Sequence, residues 1–131
     1  VKRPGRDVTI VSFGKMMKVA LKAAEELAAE SIDAEVIDLR SVRPIDYATV
    51  IDSVRKTNRL VIVEESWPLA SIASEVTFMI QKEAFDYLDA PVRRVMGGDV
   101  PLPYAPTLIE AYLPNPERVV NMVKSVMYHN A

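Results

Sequence analysis

Four short runs rich in β-branched and apolar residues, Val8–Phe13, Ala34–Leu39, Leu60–Val63 and Val92–Val95, alternate with longer stretches whose apolar residues recur every three or four positions. That alternation constrains the fold more than any other feature of the chain. A short apolar run bounded by turn formers reads as a buried strand, whereas recurrence at i, i+3, i+4 and i+7 reads as one face of a helix. Strands separated by helices pair in parallel, because each helix carries the chain back to the starting end of the sheet. The expected fold class is therefore α/β: a three-layer α/β/α sandwich with a mainly parallel sheet of four to five strands and right-handed crossovers.

The helices can be placed from the same pattern. Met17, Ala20, Leu21, Ala24 and Leu27 form one face of a first helix over about residues 15 to 30, with Lys15, Lys18, Lys22, Glu25 and Glu26 on the other. Its lysines stand at the start and Glu25, Glu26 and Glu30 at the end, the reverse of what the helix dipole favours; this suits either a solvated face or contact with an acidic partner. Asp46, after Pro44, caps a second helix carrying Tyr47, Val50, Ile51 and Val54. Past Pro68, a longer helix aligns Ala73, Val76, Ile80, Ala84, Tyr87 and Leu88. Asn115 and Pro116 open a last helix with Val119, Val123, Val126 and Met127 inward.

Composition removes much of the possible chemistry. At 131 residues, half of them hydrophobic, the chain suits one domain with a single core, residues 1–131. It has no cysteine, which excludes a disulfide framework, a zinc ribbon and a thiol nucleophile. Its one histidine, His129, sits near the C-terminus and reads as a solvated tail residue, so a Ser-His-Asp triad or a multi-histidine metal site is not expected. A net charge of −2 lacks the basic footprint of a nucleic-acid binder, and no apolar run reaches the roughly 20 residues that span a bilayer. Neither nucleic acid nor membrane is expected as a partner. The chain opens on Val1 without methionine, which suggests a fragment of a longer protein.

Two features exceed what a minimal sandwich needs. Phe78 and Phe85, seven apart and accompanied by Met79, lie off the main stripe of the long helix, as a docking face or as extra cover for a sheet edge. Residues 97–114 form a long connection, and five of the nine prolines fall between Pro101 and Pro116. Such prolines hold the backbone extended or turned, and a connection of this length is either a binding loop or a rigid wrap over the core. Thr107 and Glu110 have capping-box spacing within it.

Ligands of open parallel sheets favour the crevice at the carboxyl ends of the strands where strand order reverses. Here that crevice would be walled by Ser12, Gly14 and Lys15 on one side and Glu64, Glu65 and Ser66 on the other. No G-x-G-x-x-G or G-x-x-x-x-G-K-[ST] signature occurs. Glu64 and Glu65 are consecutive at a strand end, so they point to opposite sides and more readily cap a loop or the next helix than act as a pair. Trp67 suits an interface anchor or a packed turn equally. No residue set amounts to an active site, and a free-standing small-molecule or nucleotide-binding α/β domain remains the alternative reading.

Four segments are distinctive together: DVTIVSFG from Asp7, VIDLRSVRPID from Val36, LVIVEESWPLASIASEV from Leu60, and LDAPVRRVMGGDVPLPYAP from Leu88. In order and spacing they resemble the C-terminal domain of the beta subunit of thiamine-dependent 2-oxo acid dehydrogenases, the transketolase C-terminal domain family, and within it most the bacterial pyruvate dehydrogenase type. The resemblance implies a noncatalytic assembly and docking domain that binds no cofactor itself. Thiamine diphosphate and magnesium would sit between the alpha subunit and the beta subunit's N-terminal domain. The implied partners are the alpha subunit and the second beta subunit of an alpha2-beta2 heterotetramer, and the subunit-binding domain of the acyltransferase core. The implied location is the bacterial cytoplasm, or the mitochondrial matrix in a eukaryote. Asp99 matches an acidic docking residue of relatives by position; Pro101, Tyr104, Phe78 and Phe85 complete the expected docking set, and the terminal carboxylate joins it if Ala131 is the natural end. The family also carries a strand before Pro4, of which Val1–Arg3 would be a remnant.

Overall fold

The computed structural model describes residues 1–40, 44–65, 71–97 and 113–128. Four parallel strands, β1 (Val8–Ser12), β2 (Ala34–Asp38), β3 (Leu60–Val63) and β4 (Arg93–Val95), pair in the order β2-β1-β3-β4. The helices are α1 (Met16–Ala29), α2 (Tyr47–Thr57), α3 (Ile72–Ala84) and α4 (Pro116–Met127), with a 3₁₀ turn over Phe85–Tyr87. Strand order reverses direction after β2, so crossovers of one hand must place α1 and α2 on opposite faces of the sheet.

The side chains obey that requirement. Val8 and Ile10 of β1, Val36 of β2 and Val61 and Val63 of β3 pack with α1 and α4. Val11, Ile37, Leu60 and Ile62, one position out of phase, pack with α2 and α3. The period of two along each strand thus divides the interior into two cores, one on each side of the sheet. The expected three-layer sandwich is the observed one.

Local signals explain the helix ends. Asp46 accepts a hydrogen bond from Thr49 N–H, Ser71 from Ser74 N–H, and Asn115 from Arg118 N–H, each satisfying one orphan donor of a first turn. Gly14 turns β1 into α1 with φ of +62°, a left-handed conformation that favours glycine. α1 has no side-chain cap, no acid in its first turn and no base in its last. Its acidic end is answered within the chain, since Glu30 pairs with Lys124 of α4 at 2.6 Å.

One expectation about the long helix is corrected. Tyr87 was placed on the inward stripe, but α3 ends at Ala84 and the chain tightens from about 3.6 to about 3.0 residues per turn over Phe85–Tyr87. The change of angular step swings Tyr87 outward, 43% exposed, with the Arg55 guanidinium 5.4 Å from its ring centroid. On α4, Val120 is buried beside Val119, Val123 and Val126, while Met127 is partly buried.

The outer edge of β2 is met by the N-terminal segment. Arg3 forms an antiparallel bridge with Val36, Lys2 N–H and Val36 N–H each making a 2.8 Å hydrogen bond across it. The expected remnant of a further strand is therefore this short pairing. No described helix is long and apolar enough to cross a membrane.

Candidate partner-docking face

The crevice at the strand ends is built largely from groups the fold already uses. Ser12 is buried and its hydroxyl donates to the Val63 carbonyl at 2.8 Å, tying β1 to β3. Glu64 is 4% exposed and accepts from Ala73 N–H at 2.9 Å, placing a carboxylate at the positive end of α3. Glu65 is exposed. The two glutamates do not share a site, as alternation along a strand requires, and Glu64 takes the helix-capping role. Lys15 is exposed, whereas Ser66 and Trp67 lie outside the described residues. Among the described residues no group of three or more His, Cys, Asp or Glu side chains is arranged to hold a metal ion.

A second polar constellation lies between the sheet and α2, and periodicity alone does not reveal it. Thr9 and Glu35 are neighbours across the β1–β2 pairing, and Ser53 and Thr57 stand one turn apart on α2. Thr9 Oγ1 lies 2.6 Å from Ser53 Oγ and 2.7 Å from Thr57 Oγ1; Ser53 and Lys56 both donate to the Glu35 carboxylate, which also accepts from Gly5 N–H. Burial acts to raise the pKa of Glu35, but the hydrogen bonds from Lys56, Ser53 and Gly5, with the Lys56 charge, outweigh it and hold the carboxyl below its ordinary value. The available signal was a charged residue among apolar neighbours in a strand, together with hydroxyls at i and i+4 on the following helix.

The outer face of α3 and β4 carries the described part of the expected docking set. Ala73, Val76, Ile80 and Ala84 turn inward, which leaves Phe78 60% and Phe85 61% exposed. Between them runs a groove formed by two adjoining hollows of about 440 and 400 Å³ that share Thr77, Gln81 and Val92. Arg94 lines the hollow at Phe78, and its guanidinium donates to Ser74 Oγ at 2.9 Å; Asp89 and Leu88 line the hollow at Phe85. β4 is the outermost strand among the described residues, and Arg93 and Arg94 are exposed along it, charges that discourage indiscriminate strand pairing.

Asp99, Pro101 and Tyr104 lie outside the described residues, as do Thr107, Glu110 and His129. The ends of their segment are joined by one side chain: the Arg118 guanidinium donates to Met96 O at 2.9 Å and Leu113 O at 3.1 Å.

Comparison with known proteins places these features. Residues 1–119 match the family described as transketolase, C-terminal domain. The chain is 52% identical over 128 residues to the pyruvate dehydrogenase E1 component subunit beta of Rhizobium meliloti, a match covering 98% of this chain and 28% of that protein. It is equally 52% identical over 130 residues to the mitochondrial pyruvate dehydrogenase E1 component subunit beta-1 of Arabidopsis thaliana, covering 99% of this chain and 36% of that one. A solved structure described as a split gene transketolase, inactive beta4 tetramer, superposes with a TM-score of 0.84 at 35% identity, over 97% of this chain and 40% of its own. A transketolase mutant from Pichia stipitis, at TM-score 0.56 and 15% identity, shares the fold. The chain thus spans less than half the length of each of these relatives.

Proposed function

Because this chain belongs to the transketolase C-terminal domain family, we propose that it is the noncatalytic assembly and partner-docking domain of a 2-oxo acid dehydrogenase beta subunit, that of a pyruvate dehydrogenase. The observation that carries this reading is identity of about half the residues, across essentially the whole chain, with beta subunits from bacteria and mitochondria. On this reading residues 1–131 are one domain of a longer protein. The parent enzyme decarboxylates pyruvate with thiamine diphosphate and magnesium and acylates the lipoyl group of its acyltransferase. It resides in the bacterial cytoplasm or, in a eukaryote, the mitochondrial matrix.

The residues present do not fit a thiamine site. The carboxylate at the end of β3, Glu64, is committed to α3, and Asp38 at the end of β2 lies 3.8 Å from Arg40. Ser12 is committed to β3. No chemical step is therefore assigned to this chain, and its contribution is to hold surfaces toward the alpha subunit, the second beta subunit and the acyltransferase.

Asp99 is the residue proposed to meet the acyltransferase. An acidic group there would take a charge-assisted hydrogen bond from an arginine or lysine of the subunit-binding domain. In the assembled enzyme, Asp99→Ala should raise the dissociation constant for that domain at least ~10-fold, the loss typical of one buried charged contact; an unchanged constant would reject the role. Titration of the isolated chain with thiamine diphosphate and magnesium should give no binding heat, and tight binding would overturn the noncatalytic reading.

A further inference from the structure

We propose that the α3–β4 face is self-complementary and joins two copies of this chain about a two-fold axis, Phe78 of each copy entering the Phe85–Leu88 hollow of the other. The proposal rests on the reading of the chain as an assembly domain and adds to it a surface and an occupant. Two phenyl rings more than half exposed on one helix face form an apolar patch that water covers poorly. The groove between them has a direction. Arg94 lies at the Phe78 end and Asp89 at the Phe85 end, with the uncharged Thr77, Gln81 and Val92 between.

That direction selects the partner and its orientation. A second groove laid parallel would set Arg94 against Arg94 and Asp89 against Asp89. Laid antiparallel, it sets each Arg94 beside the other copy's Asp89 and each Phe78 beside the other copy's Phe85. The antiparallel operation is a two-fold rotation, the closed symmetry in which one patch serves both subunits. Arg94 is held by Ser74, and Asp89 lies 3.8 Å from Arg59, so both charges are already oriented by their own chain. Charges so placed at the rim set register more than affinity, and the phenyl rings supply the buried area.

Sedimentation velocity of the 131-residue chain over a concentration series tests the proposal. A concentration-dependent dimer is expected. Phe78→Glu should raise its dissociation constant at least ~30-fold, as loss of a central aromatic anchor does. Arg94→Glu and Asp89→Arg should each weaken the dimer, and the two substitutions together should restore it, because the unlike charges then face each other again. Circular-dichroism melting of each variant confirms that it is folded.

A wild-type chain that stays monomeric up to about 1 mM, the range of the weakest specific association, would overturn the proposal. So would a dimer indifferent to Phe78→Glu, and a double variant no better than either single one would overturn the antiparallel arrangement. A monomeric chain whose Asp99→Ala counterpart still weakens acyltransferase docking in the assembled enzyme would overturn this inference alone, leaving the proposed function in place.

Discussion

Glu35 is a carboxylate within a strand whose neighbours are apolar, and a count of protons shows how it is accommodated. Ser53 has a single hydroxyl proton and donates it to Glu35, so it must accept from Thr9; Thr9, its own proton used, accepts from Thr57. The chain of hydroxyls therefore has one sense, from Thr57 on α2 through Thr9 on β1 to the charge on β2. Glu35→Gln removes the charge that orders this chain and that faces Lys56, and should cost about 2 kcal/mol, toward the lower end for a buried pair because half-exposed Lys56 regains water. The folded pKa of Glu35 lies below the ordinary value of 4.5. Its contribution is thus complete above that value and is lost as pH falls through the folded pKa. Thermal melting from neutral pH into the acid range should show the gap between wild type and Glu35→Gln closing as the medium is acidified; a constant gap would deny Glu35 this role.

The elements show which local signals are sufficient and which are not. Asn115 followed by Pro116 predicts a helix start, and the side chain does accept from Arg118 N–H at 2.9 Å. Asn115→Ala should therefore destabilise the chain by about 1 kcal/mol in urea unfolding, with an unchanged m-value. Asp46 and α2 were equally legible, because a cap and its helix are neighbours in sequence. The far end of α3 was not. Its stripe continues in register through Tyr87 and Leu88 in the sequence, yet the backbone tightens after Ala84, and a side-chain pattern does not encode the change of pitch that turns Tyr87 toward Arg55. The adverse charge order of α1 was legible too, but its answer, Lys124 on α4, lies far along the chain and is brought to Glu30 by helix packing.

At the scale of the molecule, two cores share one sheet, and the central strands bear on both. Ile62 is 1% exposed between α2, α3 and the sheet. Ile62→Ala should cost about 3 kcal/mol, the lost transfer energy plus the void left behind. Chemical denaturation should show it as a single transition if the two cores unfold together, and two separate transitions would refute that coupling. The sequence alone determined the number and kind of elements, their alternation and thus the layered parallel architecture, and the four segments that mark the family, since periodicity and motif spacing are properties of the chain read locally. Only the tertiary structure decided that Glu35 finds Ser53 and Lys56, that Glu64 serves α3, and that Arg94 and Asp89 end up at opposite ends of one groove. Those relations join residues far apart in sequence, and the strand order that brings them together is a property of how the whole chain packs.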